Sequence, residues 1–296
     1  MNRILWIALC AAFAAAPSLV ADEPKKDECD CPVAKQVQTL LASWKDAAEA
    51  AKNTDEATSK DLAAKCSALC KECPIGSRIG ATVGAFKETL AALIAADEAG
   101  AKSCPIEAKA KEGGPAGEAC KAALALKTAR SQFIKDLHAL ATCVTASCSA
   151  CCPANASAEI ATETGKTPPD LATTLAALEA SWKKAGGELA ALAPEKQKAL
   201  GEGVAELSKA SKGFALVMPS LIALADGFDA LNAIHGKMNE WLKANAAAIG
   251  ELPAEARAGF EHQQKLALDA SKVGAIVRET LKSCSGEKPA ENAPAK

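Results

Sequence analysis

Residues 40–47 read "LLASWKDA", and residues 178–185 read "LEASWKKA", the same pattern 138 positions later. Around the first stretch Val37, Leu40, Leu41, Trp44, Ala48 and Ala51 fall on one face at helical spacing, which predicts a helix near 33–53. The same offset pairs Lys60 with Lys198, Leu62 with Leu200, Leu69 with Leu207, Lys71 with Lys209 and Leu93 with Leu231. Further on, "AGEACKAALAL" at 116–126 resembles "AGFEHQQKLAL" at 258–268, with the offset grown to 142. Alanine-rich helices match one another cheaply, but tryptophan is rare here, so a shared "ASWK" carries more weight. The pattern predicts a tandem duplication.

Each copy reads as four helices, near 33–53, 58–73, 77–98 and 117–148, then near 170–191, 195–213, 219–247 and 254–283. Pro219 and Pro253 suit first-turn positions, where a missing N–H costs nothing. No run reads as a strand. Short loops make successive helices antiparallel, so the expected fold is all-α, with two tandem up-down-up-down four-helix units, the first cysteine-rich. Trp44 and Trp182 lie on the apolar stripe of the first helix of each copy, where each is expected to anchor its own bundle core.

The chain opens "MNRILWIALCAAFAAAPSLVADEP", a short basic region, an apolar run holding Cys10, and small residues. This reads as a secretory signal peptide over residues 1–21, too short in its apolar part to span a bilayer. The expected division is then a cysteine-rich bundle over 22–152, a linker over 153–168, a second bundle over 169–284 and a disordered tail over 285–296. Export to the periplasm or beyond is expected, with no transmembrane segment after signal cleavage. Without Arg3 the chain carries 33 basic against 36 acidic residues. This interspersed, near-neutral balance excludes a basic nucleic-acid face. The absence of tyrosine, with aromatics at only 3%, leaves poor material for stacking on sugars or bases.

Of 13 cysteines, twelve follow the signal peptide, an even number in an oxidising compartment. With antiparallel helices, Cys29 and Cys31 (before helix 1), Cys66, Cys70 and Cys73 (ending helix 2) and Cys143, Cys148, Cys151 and Cys152 (ending helix 4) converge on one end of the first bundle. Cys284 closes the last helix and is the candidate tenth member. Cys104 and Cys120 flank the loop between helices 3 and 4 and most simply bond to each other. In the chain-entropy model that bridge contributes about 3 kcal/mol. Cys66 and Cys70 lie one helical turn apart, about 5–6 Å between Cβ atoms. A disulfide needs about 3.8 Å, so each must look to another segment.

A second reading takes Cys70-x2-Cys73 and Cys148-x2-Cys151 as the ligand set of an all-cysteine zinc site, or as part of a Cu(I) thiolate cluster. The Cx3C steps at Cys66/Cys70 and Cys148/Cys152 are similar in kind to those of twin Cx3C helical hairpins stapled by two disulfides. Many thiols and Cx3C steps on helices also resemble secreted four-helix bundles that store copper, although there the cysteines line the whole core. No βαβ pattern surrounds any CxxC, which excludes a thioredoxin-like fold. His138, His235 and His262 belong to no HExxH or CxxCH motif and read as structural or solvated. No phosphate-cradling glycine loop, GxSxG elbow or isolated carboxylate pair occurs. The sequence therefore leads to an exported, non-enzymatic helical protein with a disulfide-stapled first bundle and a structural or interaction role with an envelope partner. No cofactor is expected on this reading, and soft-metal binding is the alternative.

Overall fold

Capping residues set where the helices begin. Asp55 and Asp170 each sit at an N-cap and accept a backbone hydrogen bond three residues on, from Thr58 N at 2.9 Å and Thr173 N at 2.7 Å. Those bonds favour the ionised carboxylates and hold both acids below the usual range. Ser211 accepts from Phe214 N at 3.2 Å, and a proline occupies the first position after Ala193.

A computed structural model describes residues 32–100, 106, 110–111, 114–151, 170–249 and 253–284. The chain is all-α, with no strand among the described residues. Its helices are α1 (Pro32–Lys52), α2 (Glu56–Glu72), α3 (Gly76–Gly100), α4 (Gly114–Cys151), α5 (Leu171–Ala190), α6 (Pro194–Ala210), α7 (Lys212–Ala244), the single turn α8 (Ala246–Ile249) and α9 (Ala254–Cys284).

These bounds follow the sequence pattern closely except at α7, which starts at Lys212 and carries Pro219 inside it. The proline removes the ladder bond to the carbonyl four residues back. Burial of Val217, Ser220 and Leu221 around it holds the segment helical. Local propensity marks a start here, and tertiary packing overrides it.

The topology departs from two up-down-up-down units. α5 and α9 run side by side in the same direction: Asp170 is near Lys265, Glu179 is near Lys272, and a methyl at Gly186 would sit 3.5 Å from the Thr280 hydroxyl. α1 is placed likewise against α4. Trp44 lies against Gly213 in the first turn of α7, Lys45 is near Cys143, and Gly213 also meets Ser147 late in α4. So α1 and α5 both finish where α3 and α7 start. α2 and α6 join elements at that one end and cross it rather than run down the bundle.

Their composition explains this: α2 buries only Cys66 and α6 only Leu200 and Leu207. Neither has an apolar face wide enough to form a wall. They lie on one another, with Gly203 against a Leu69 methyl and Glu206 near Lys65.

The core is also shared rather than divided. α1 packs on α7 and α4, and α5 packs on α3 and α9, so the first helix of each half lies on the third helix of the other. One continuous cluster holds Val37, Leu40 and Trp44 together with Leu221, Leu224 and Phe228, and Leu175, Leu178 and Trp182 together with Val83, Phe86 and Leu90. Phe86 and Phe228 meet at its centre, ring centroids 4.8 Å apart.

The tryptophans do not anchor separate cores. Trp44 Nε1 donates to Ser220 Oγ at 3.0 Å, and Trp182 Nε1 donates to Thr82 Oγ1 at 2.7 Å. Ser220 follows Thr82 by 138 positions, the same interval that separates the tryptophans.

α3 and α7 are, by length and composition, apolar enough to cross a membrane, which stands against the expectation that no stretch after the signal peptide is. Helices covered by neighbours on several sides have the same composition, and here α3 and α7 supply the centre of the core.

Candidate functional site

Two regions at opposite ends of the bundle carry polar or reactive groups. At the first, α2 ends, α3 begins and α4 ends. Cys66 is buried on α2, while Cys70 and Cys73 are half-buried near its end. The Cys73 N–H donates to Leu69 O and closes the helix. α3 starts so close beneath that a Cβ at Gly76 would collide with the Cys70 carbonyl, so only glycine fits there. One turn on, a Cβ at Gly80 would lie 3.9 Å from Cys148 Cβ. Cys73, Cys143 and Cys148 pack against the core. Burial pushes the Cys143 thiol up to about 11, so it stays protonated at neutral pH.

The structure thus brings the expected segments of α2 and α4 together around the first turns of α3. No two of the six cysteines with described side chains lie at disulfide distance. Among the described residues no group of three or more His, Cys, Asp or Glu is placed to hold a metal ion. Cys29, Cys31, Cys104 and Cys152 lie outside the described residues, as do the side chains of Cys151 and Cys284. The division points 1–21, 153–168 and 285–296 also fall on residues outside those described. Cys120 is buried at the other end in a small apolar cluster with Ala110, Ile106, Trp241 and Leu242.

That other end holds the more developed site. Arg130 of α4, only 2% exposed, is gripped by three other helices. Its Nε donates to His235 Nε2 (α7) at 3.0 Å, Nη1 to Asp97 Oδ1 (α3) at 2.6 Å and Nη2 to Gln263 Oε1 (α9) at 2.8 Å. Ser131 Oγ donates to the other Asp97 oxygen at 2.7 Å. Arg130 is buried and Asp97 half-buried, and the pair is charge-balanced with a hydrogen bond to each carboxylate oxygen, the condition under which such an ion pair is tolerated.

His235 is fully buried, with the Phe260 ring edge-on to it at 5.6 Å. Burial and then the neighbouring Arg130 charge push its pKa down to about 4. It is therefore neutral at pH 7. Because Nε2 accepts, the proton sits on Nδ1, which has no partner among the described residues.

Arg130, Asp97 and Gln263 form the polar wall of a pocket of about 670 Å³ between α3, α4, α7 and α9. Much of the remaining lining is apolar, including Leu124 and Leu126 of α4, Met238, Trp241 and Leu242 of α7, and Ala256 and Phe260 of α9. Lys127, Lys237 and Glu255 also line it. This size, with mostly apolar lining and a few convergent polar groups, is that of a small-molecule site. Among the described residues that line it there is no nucleophile–base pair.

The Arg130 cluster belongs to no motif, yet it left a trace in the sequence. Each member extends an apolar helical stripe by one turn: Asp97 after Leu90 and Leu93, Arg130 before Ile134 and Leu137, His235 after Phe228 and Leu231, Gln263 before Ala267 and Ala270. Four polar residues on core stripes are a signal that polar groups meet inside. Compared with known proteins, the chain matches no family model, no curated protein and no solved structure.

Proposed function

We propose that this is an exported, non-enzymatic helical protein with an interaction role, and that the interaction is capture of a small apolar molecule in the pocket beside Arg130. The observation that carries the reading is a pocket of about 670 Å³ whose polar wall is pre-assembled from three helices and braced by His235 of a fourth. Such preorganisation lowers the ordering cost of binding. The matched tryptophan–hydroxyl bonds support an origin by duplication, with the pocket on one side of the shared core.

The test is titration with a neutral apolar fluorescent dye such as Nile red. One dye per chain is expected, with affinity lowered at least tenfold by Ala256→Phe, which puts a bulky ring into the pocket, and with the melting temperature kept. Dye binding that is unchanged in Ala256→Phe overturns the reading.

A second reading is a soft-metal site at the thiol end, favoured by Cys70 and Cys148 both flanking the first turns of α3. Copper or zinc bound in fixed ratio, with many thiols alkylated without reductant, supports it. Six disulfides and no metal end it.

A further inference from the structure

The polar wall of the pocket has a one-sided hydrogen-bonding inventory. Arginine carries five N–H donors, and Arg130 spends three on His235, Asp97 and Gln263. The remaining two are on the Nη nitrogens, whose partners Asp97 and Gln263 line the pocket, while His235, bound through Nε, does not. The Nη edge is therefore the edge toward the pocket. The Gln263 amide accepts through Oε1, and its Nε2 has no partner among the described residues. The Trp241 indole N–H likewise has none and belongs to the lining. On the acceptor side, Arg130 and Ser131 take one lone pair on each Asp97 oxygen and Arg130 takes one on Gln263 Oε1, which leaves about three acceptor sites against about five spare N–H donors. Spare donors outnumber spare acceptors at this wall.

Charge decides between acceptor types. Arg130 is already neutralised by Asp97 at 2.6 Å. A buried carboxylate head would find only two other cations in the lining, Lys127, which already has a partner, and Lys237, which is exposed to solvent, and desolvating an under-compensated charge is costly. A neutral carbonyl oxygen uses the spare donors without that penalty. We infer that the pocket takes an uncharged apolar molecule bearing a hydrogen-bond-accepting carbonyl, such as an ester or ketone, with the oxygen at Arg130 and Gln263 and the apolar body against Trp241, Leu126 and Phe260.

This inference rests on the pocket being a binding site, and its test separates the two. Methyl decanoate, decanoate and decylammonium, below their micelle concentrations, compete with Nile red bound to the purified protein. The ester is expected to displace the dye at a concentration at least tenfold lower than either ion. Gln263→Leu, checked for folding by circular dichroism, should raise several-fold the ester concentration needed to displace the dye. Decanoate or decylammonium competing as well as or better than the ester overturns the ligand class. So does displacement by none of the three while stoichiometric dye binding persists. Loss of stoichiometric dye binding in the wild-type protein overturns the binding reading itself.

Discussion

His235 shows how one residue's environment becomes a stability statement. Its imidazole is buried, accepts a hydrogen bond from a guanidinium, and titrates near 4 rather than at its ordinary 6.5. Between those values the unfolded chain binds a proton that the folded chain refuses, so stability rises with pH across the interval. The His235 contribution is fully present above about 6.5 and is lost as pH falls toward 4. Gln at this position keeps an acceptor for Arg130 Nε and removes the titration. His235→Gln is therefore expected to flatten the fall in melting temperature between pH 6.5 and 4. An unchanged difference between the two pH values counts against the assignment. In sequence this histidine, preceding a glycine and outside any motif, read as structural or solvated, and it is indeed buried in the bundle. What the reading lacked was its partner, because Arg130 lies 105 residues away on another helix.

Among the elements, the helices themselves were legible. Apolar periodicity and turn residues located them within a few positions, because both are local properties of the chain. Their directions were not legible. A three-residue connection between α1 and α2 permits an antiparallel hairpin or a turn across the end of a bundle. The choice depends on how much apolar face the next helix offers. α2 and α6 offer too little and become caps. The packing of α1 on α7 and of α5 on α3 is sealed by the two tryptophan bonds, which yields a symmetric prediction. Thr82→Val and Ser220→Ala each leave an indole N–H buried without an acceptor. Each should cost about 1–3 kcal/mol in denaturant unfolding. A negligible loss in either would show that the indole N–H finds water instead.

For the whole molecule, the shared core implies that neither half is a folding unit. Chains divided within residues 153–168 and produced separately should show no cooperative melt, and mixing them should restore one melt and one peak on size exclusion. Independent folding of either half would restore the picture of two separate bundles. Composition, helical periodicity and the repeated "ASWK" determined by themselves that this protein is all-α and where its helices run, since those depend on backbone propensity and local amphipathicity. They also marked the segments that gather at the thiol end. Only the tertiary structure decided that α1 and α5 cross to the opposite half, that α2 and α6 close one end, and that Asp97, Arg130, His235 and Gln263 meet beside a pocket. Those outcomes depend on which apolar faces cover one another and on pairing buried polar groups across long sequence separations, and neither is a property of any single stretch of chain.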